Sequence, residues 1–126
     1  MGILAQTTIK ATVFLSILLA VTTEEYKAVL EVAKDMDTKV ILYFTDEDCI
    51  WCAKFVETLA DKSVEPNLAD YLLLELDITE NRQLANKFGI RLVPSCVMIN
   101  GDEKIISKVT GYQDPEKFNE WLIKHK

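Results

Sequence analysis

The sequence predicts an α/β fold: one mixed sheet of about four strands with helices on both faces. Three observations predict it. Two strand-like runs, the continuous apolar 40–44 and the leucine-rich 72–76, are separated by a stretch with helical spacing. Asn100-Gly101 stands between two further strand-like runs, 96–99 and 105–109, which marks a hairpin. Helical spacing returns before the first run, between the second and the hairpin, and at the end of the chain. Buried strands joined through a helix imply a right-handed parallel crossover, and the hairpin adds antiparallel strands. The order is α-β-α-β-α-β-β-α.

Each element has a local cause. Thr22 and Glu25 have capping-box spacing, so a first helix starts there. Tyr26, Val29, Leu30 and Ala33 give it one apolar face, and Asp37-Thr38 end it. Residues 40–44, "VILYF", are β-branched and aromatic, as in a buried central strand. Asp46–Asp48 form a polar turn. A second helix is expected over about residues 49–62, with Phe55, Val56, Leu59 and Ala60 inward, and Pro66 interrupts the chain beyond it. Residues 72–76 read as a second buried strand. A third helix begins at Thr79 and runs through Phe88, with Leu84, Ala85 and Phe88 inward and Gly89 as its stop. Asp114-Pro115 caps the last helix, whose apolar face is Phe118, Trp121 and Leu122.

A length of 126 residues is that of one domain, and 49% hydrophobic residues supply a core without staples. The formal net charge of −6 argues against a nucleic-acid partner, because phosphate binding needs a basic face. Three cysteines are too few for a disulfide framework in a chain this long.

Residues 1–21 differ from the rest. They hold no acidic residue and one basic one, Lys10, followed by the apolar run 11–21. That run is short for a bilayer span of roughly 20 residues. It matches the apolar region of an export signal, about 7–15 residues. The expected division is therefore 1–21 as a signal peptide or short membrane anchor and 22–126 as the folded domain. A strand or helix of the core is the competing reading of the apolar run.

Cys49 and Cys52, in "TDEDCIWCAKF", carry the chemistry. The spacing puts Cys49 at a helix N-terminus, where unpaired N–H groups and the helix dipole favour thiolate. Cys52 lies one turn further in, close enough to form or resolve a disulfide. A metal site needs about four ligands, and Cys96 and His125 stand at no suitable spacing, so no metal is expected. A structural clip would close almost no loop and stabilise little. Dithiol exchange is the favoured reading of the three. Cys96, within "CVMI", reads as a small apolar core residue.

With "KFGIRLVPS" about forty residues after the pair and "VTGYQDPEKFNEWL" at the end, the chain from Thr22 onward resembles the thioredoxin superfamily. "LDITEN" and "VTGYQDPEKF" look most like the C-terminal domain of bacterial thiol:disulfide interchange proteins and exported thioredoxins. The resemblance implies a thioredoxin fold, no cofactor, and a thiol–disulfide oxidoreductase with protein dithiol or disulfide partners. Cys49 is then the nucleophile and Cys52 the resolving thiol. Pro94 is implied to be a cis-proline facing the sulfurs, with Trp51, Val93, Pro94 and Ser95 meeting substrate and Gly111 beside them. The chain departs from the family at Tyr43, where a buried carboxylate is usual, and at Glu75, where a lysine often stands. Asp46, Asp48 or Glu75 is left as the proton relay. The expectation is a monomeric reductant that is exported, periplasmic or otherwise extracytoplasmic, with a membrane tether through 11–21 as a variant. The rival is a binding module of the same fold with little redox turnover.

Overall fold

The computed structural model describes residues 22–126. The expected export signal or anchor, 1–21, lies outside the described residues. Among the described residues, no helix is long and apolar enough to cross a membrane.

The elements of the described chain are, in order, α1 (Thr23–Asp35), β1 (Val40–Thr45), α2 (Ile50–Leu59), α3 (Glu65–Leu68), β2 (Leu72–Asp77), α4 (Arg82–Lys87), β3 (Ser95–Ile99), β4 (Ile105–Thr110) and α5 (Pro115–Lys124). Thr22 caps α1 by accepting the Glu25 N–H at 3.0 Å, as the capping-box spacing requires. Asp114 caps α5 by accepting the Lys117 N–H at 2.9 Å. Asp37 takes a left-handed conformation, φ 49°, and ends α1.

The sheet order is β2-β1-β3-β4. β1 runs parallel to β2, and β3 is antiparallel to both β1 and β4. Alternation along β1 divides two cores. Val40, Leu42 and Phe44 face Leu30, Ala33, Leu76 and Phe88, under α1 and α4. Ile41 and Tyr43 face Phe55, Phe118 and Leu122, under α2 and α5. Burying one such side chain contributes about 1.5–3 kcal/mol.

Four expectations need correction. Residues 72–76 are an edge strand, and most of their side chains are only half-buried. Its leucines pack into both cores, Leu72, Leu74 and Leu76 on one face and Leu73 on the other, so its composition reads like that of a buried strand. The second helix stops at Leu59, and Pro66 then opens the separate short helix α3. Val56 and Ala60 face solvent, whereas Thr58 is buried and donates its hydroxyl to the Gln113 carbonyl at 2.8 Å. Thr79 does not begin a helix: the Asp77 carboxylate accepts from the Thr79 and Glu80 N–H groups, and α4 starts at Arg82.

Candidate redox site

β1 delivers the chain to the carboxyl end of the parallel pair, and α2 begins there. Cys49 is the N-cap of α2, with extended φ −110° and ψ 110°. Its sulfur accepts the Cys52 N–H at 3.1 Å, so one of the helix's unpaired donors points at the sulfur. The two cysteines form a disulfide with Cα atoms 5.1 Å apart. They are not equivalent: Cys49 is half-buried, whereas Cys52 is only 2% exposed. One sulfur meets the surface and the other is shielded beneath it.

The loop before β3 closes over the pair. The Val93–Pro94 peptide bond is cis. Cys49 Sγ lies 3.9 Å from the Val93 carbonyl oxygen. Ser95 is buried and donates its hydroxyl to the Leu92 carbonyl at 2.7 Å, while the Gly111 N–H donates to the Pro94 carbonyl at 2.7 Å. The loop is thus held at both ends. Gly111 has φ 87°, and a Cβ there would meet nothing within 4 Å. The glycine answers the turn's backbone conformation rather than a close approach.

Trp51 is 56% exposed. It leans on Tyr112, ring centroids 5.4 Å apart, and Lys54 Nζ sits over its face at 5.9 Å. Ile50 and Leu92 are exposed as well and enlarge the apolar rim of the site. Sequence reasoning left both out of the candidate site. Their signal was position alone: one follows the first cysteine and the other precedes Val93-Pro94.

The candidate relay carboxylates are dispersed. Asp46 accepts the Glu47 N–H at 2.7 Å, and Glu47 and Asp48 are exposed. Glu75 pairs in register with Tyr43, so it shares the sheet face below Cys52. Burial raises its carboxyl above the usual range. Tyr43 is fully buried and donates its hydroxyl to the Cys52 carbonyl at 3.2 Å, a contact the strand pattern did not disclose. Cys96, opposite Tyr43 in β3, is wholly buried, and burial pushes its thiol far up. Among the described residues, no group of three or more metal-ligating side chains comes together.

A shielded and a half-buried cysteine joined at a helix N-terminus, beside a proline loop on a mixed four-stranded sheet, define a thiol–disulfide oxidoreductase of the thioredoxin superfamily. The chain belongs to the thioredoxin-like family, whose domain model matches residues 26–126. It is 34% identical over 90 residues to the thiol:disulfide interchange protein DsbD of Photorhabdus laumondii, covering 66% of this chain and 16% of that protein. The DsbD protein of Pasteurella multocida is 30% identical over 101 residues, covering 75% of this chain and 18% of the relative. The chain therefore spans less than a fifth of these curated relatives. The oxidised C-terminal domain of Neisseria meningitidis DsbD superposes with TM-score 0.71 at 22% identity, over 86% of this chain and 99% of that one. Fasciola hepatica thioredoxin gives TM-score 0.71 at 18% identity, over 86% and 98%. These two structures share the fold.

Proposed function

We propose that this chain reduces disulfides in client proteins outside the cytoplasm, with Cys49 as the attacking sulfur. The observation that carries the assignment of roles is the asymmetry of the pair. Cys49 meets the surface and receives an N–H at its sulfur, whereas Cys52 is shielded. In the reduced chain, the Cys49 thiolate attacks one sulfur of the client disulfide. The client's S–S bond breaks and a mixed disulfide forms. Cys52, as thiolate, then attacks Cys49 Sγ. The mixed bond breaks, Cys49–Cys52 forms, and the client leaves with both its sulfurs reduced and protonated. The chain's dithiol is oxidised by giving up the two electrons that the client disulfide gains.

Trp51 and Val93 form the accessible part of the surface on which an extended client segment lies, with the Val93 backbone as its pairing partner; Pro94 and Ser95, expected to meet substrate, are buried and hold the loop beneath it instead. The proton of Cys52 passes to a carboxylate. Glu75 is favoured over Asp46 and Asp48, because it is half-buried on the face below Cys52, where burial raises its carboxyl above the usual range. The extracytoplasmic setting is supported by the apolar run 11–21, which matches the apolar region of an export signal. Fractionation of cells producing a tagged chain tests it, with recovery among cytoplasmic proteins as the adverse result.

Single substitutions test the order of attack. Cys49→Ser is expected to abolish exchange with a disulfide-bonded protein. Cys52→Ser is expected to attack without release and to accumulate mixed disulfides on non-reducing gels. Equal trapping by both variants would overturn the assignment.

A further inference from the structure

Tyr43 stands in the middle of β1 with no solvent exposure, and a residue there needs a partner for its hydroxyl. The partner is in the redox motif itself. The Tyr43 O–H donates to the Cys52 carbonyl oxygen at 3.2 Å, and its oxygen lies 3.4 Å from Thr45 Oγ1. With its one proton directed at Cys52, the Tyr43 oxygen is left to accept from the Thr45 hydroxyl. The ring is stacked on Phe55, centroids 5.1 Å apart and planes at 22°, one turn after Cys52 on α2. Sheet and helix are thus joined at two points in the turn that carries the shielded sulfur.

We propose that Tyr43 is a positioning residue for the resolving step: its hydroxyl holds the first turn of α2 so that Cys52 can reach Cys49 Sγ in the mixed disulfide. The inference rests on the dithiol-exchange reading above. In that step the Cys52 thiolate attacks Cys49 Sγ, the bond from Cys49 to the client sulfur breaks, and the client leaves as thiolate. Both sulfurs belong to one short segment, so the rate depends on how well that segment is held. A misplacement of about 1 Å can cost about a hundredfold in such a step. Attack by Cys49 on an incoming disulfide makes no such demand, because the client brings its own sulfur to the surface.

The donor is constant under working conditions. Burial pushes the Tyr43 hydroxyl up to about 12, so it remains an O–H donor. Of the titratable groups on its sheet face, Glu75, in register on β2, and Cys96, opposite on β3, each raise it further, and Asp77 lies beyond them at the end of β2. From the helices, Phe55 and Phe118 cover this face.

The test uses the reduced full chain and an aromatic disulfide that releases one coloured thiolate per step. The first release reads attack by Cys49 and the second reads resolution by Cys52. In Tyr43→Phe the ring still fills the core. Its second phase is expected to slow roughly tenfold while its first phase stays within about twofold. Phe55→Leu is the control, because it loosens the same packing without touching the hydroxyl. A Tyr43→Phe second phase at the wild-type rate overturns the inference. So does equal slowing of both phases, or equal slowing of the second phase in Phe55→Leu. Should Tyr43→Phe not fold, 4-fluorophenylalanine placed at position 43 fills the space of the hydroxyl but cannot donate to the Cys52 carbonyl, and its second phase decides in the same way. A wild-type chain that releases only one equivalent refutes dithiol exchange itself, which separates the two failures.

Discussion

Two opposed influences act on Cys49. The Cys52 N–H and the positive end of α2 favour a thiolate there. Asp46, Glu47 and Asp48 precede it directly, and like charge disfavours a thiolate. No histidine lies within the motif, and Lys54, the nearest cation in sequence, is engaged over the Trp51 ring. A strongly oxidising couple needs its reduced form stabilised through the thiolate. The carboxylates weaken that stabilisation, so the couple is expected to be reducing, on the order of −200 mV or lower. Equilibration against glutathione measures it. A potential near roughly −120 mV would show that the acidic triplet does not set the poise. Added salt should raise the thiolate fraction only slightly, since exposed charges this close to the sulfur lie within the Debye length of about 8–10 Å.

At the level of elements, the β3–β4 hairpin does more than close the sheet. Its turn rests on α1: a Cβ at Gly101 would stand 2.5 Å from Lys34 Cγ, 2.9 Å from the Lys34 nitrogen and 3.0 Å from the Leu30 carbonyl oxygen. Two of these atoms are backbone and cannot swing aside. Glu103 locks the same contact, accepting the Tyr26 hydroxyl at 2.9 Å and pairing with Lys87 of α4. Gly101→Ala is therefore expected to destabilise the fold by about 1–3 kcal/mol, read as a lower Tm. Its thiol-exchange rate should be unchanged, because the turn lies at the end of β3 opposite Ser95 and the dithiol. The sequence signal here was correct in kind and wrong in reason. Asn100-Gly101 marked a hairpin, but the left-handed residue of the turn is Glu103, φ 64°. The glycine is needed for a helix some seventy residues earlier in the chain, and no local pattern records such a neighbour. β2 shows the same limit. "LLLEL" reports cover on both faces, which an edge strand between helices can also have, and composition does not reveal lateral position.

In the whole molecule, local grammar disclosed the element order, the mixed sheet and the two cysteines at the head of a helix. It did not disclose what joins sheet to helix, such as the Tyr43 hydroxyl beneath Cys52, because that requires knowing which helix lies on which face. The two cores also bear on residues 1–21. Among the described residues, both clusters are filled by side chains from Tyr26 onward, and the family model begins at residue 26. Thr22 already supplies the cap of α1. A chain beginning at Thr22 is therefore expected to unfold in one cooperative transition, as single domains of this size do. It should also keep its rate of disulfide exchange with a small aromatic disulfide. Urea unfolding followed by Trp fluorescence and by far-ultraviolet circular dichroism checks the first point, since coincident curves mean one transition. Non-coincident curves, or an unfolding free energy lower than the full chain's by more than roughly 1 kcal/mol, would mean that the apolar run 11–21 packs into the domain. The extracytoplasmic reading would then lose its main support in the sequence, while the dithiol chemistry at Cys49 and Cys52 would stand.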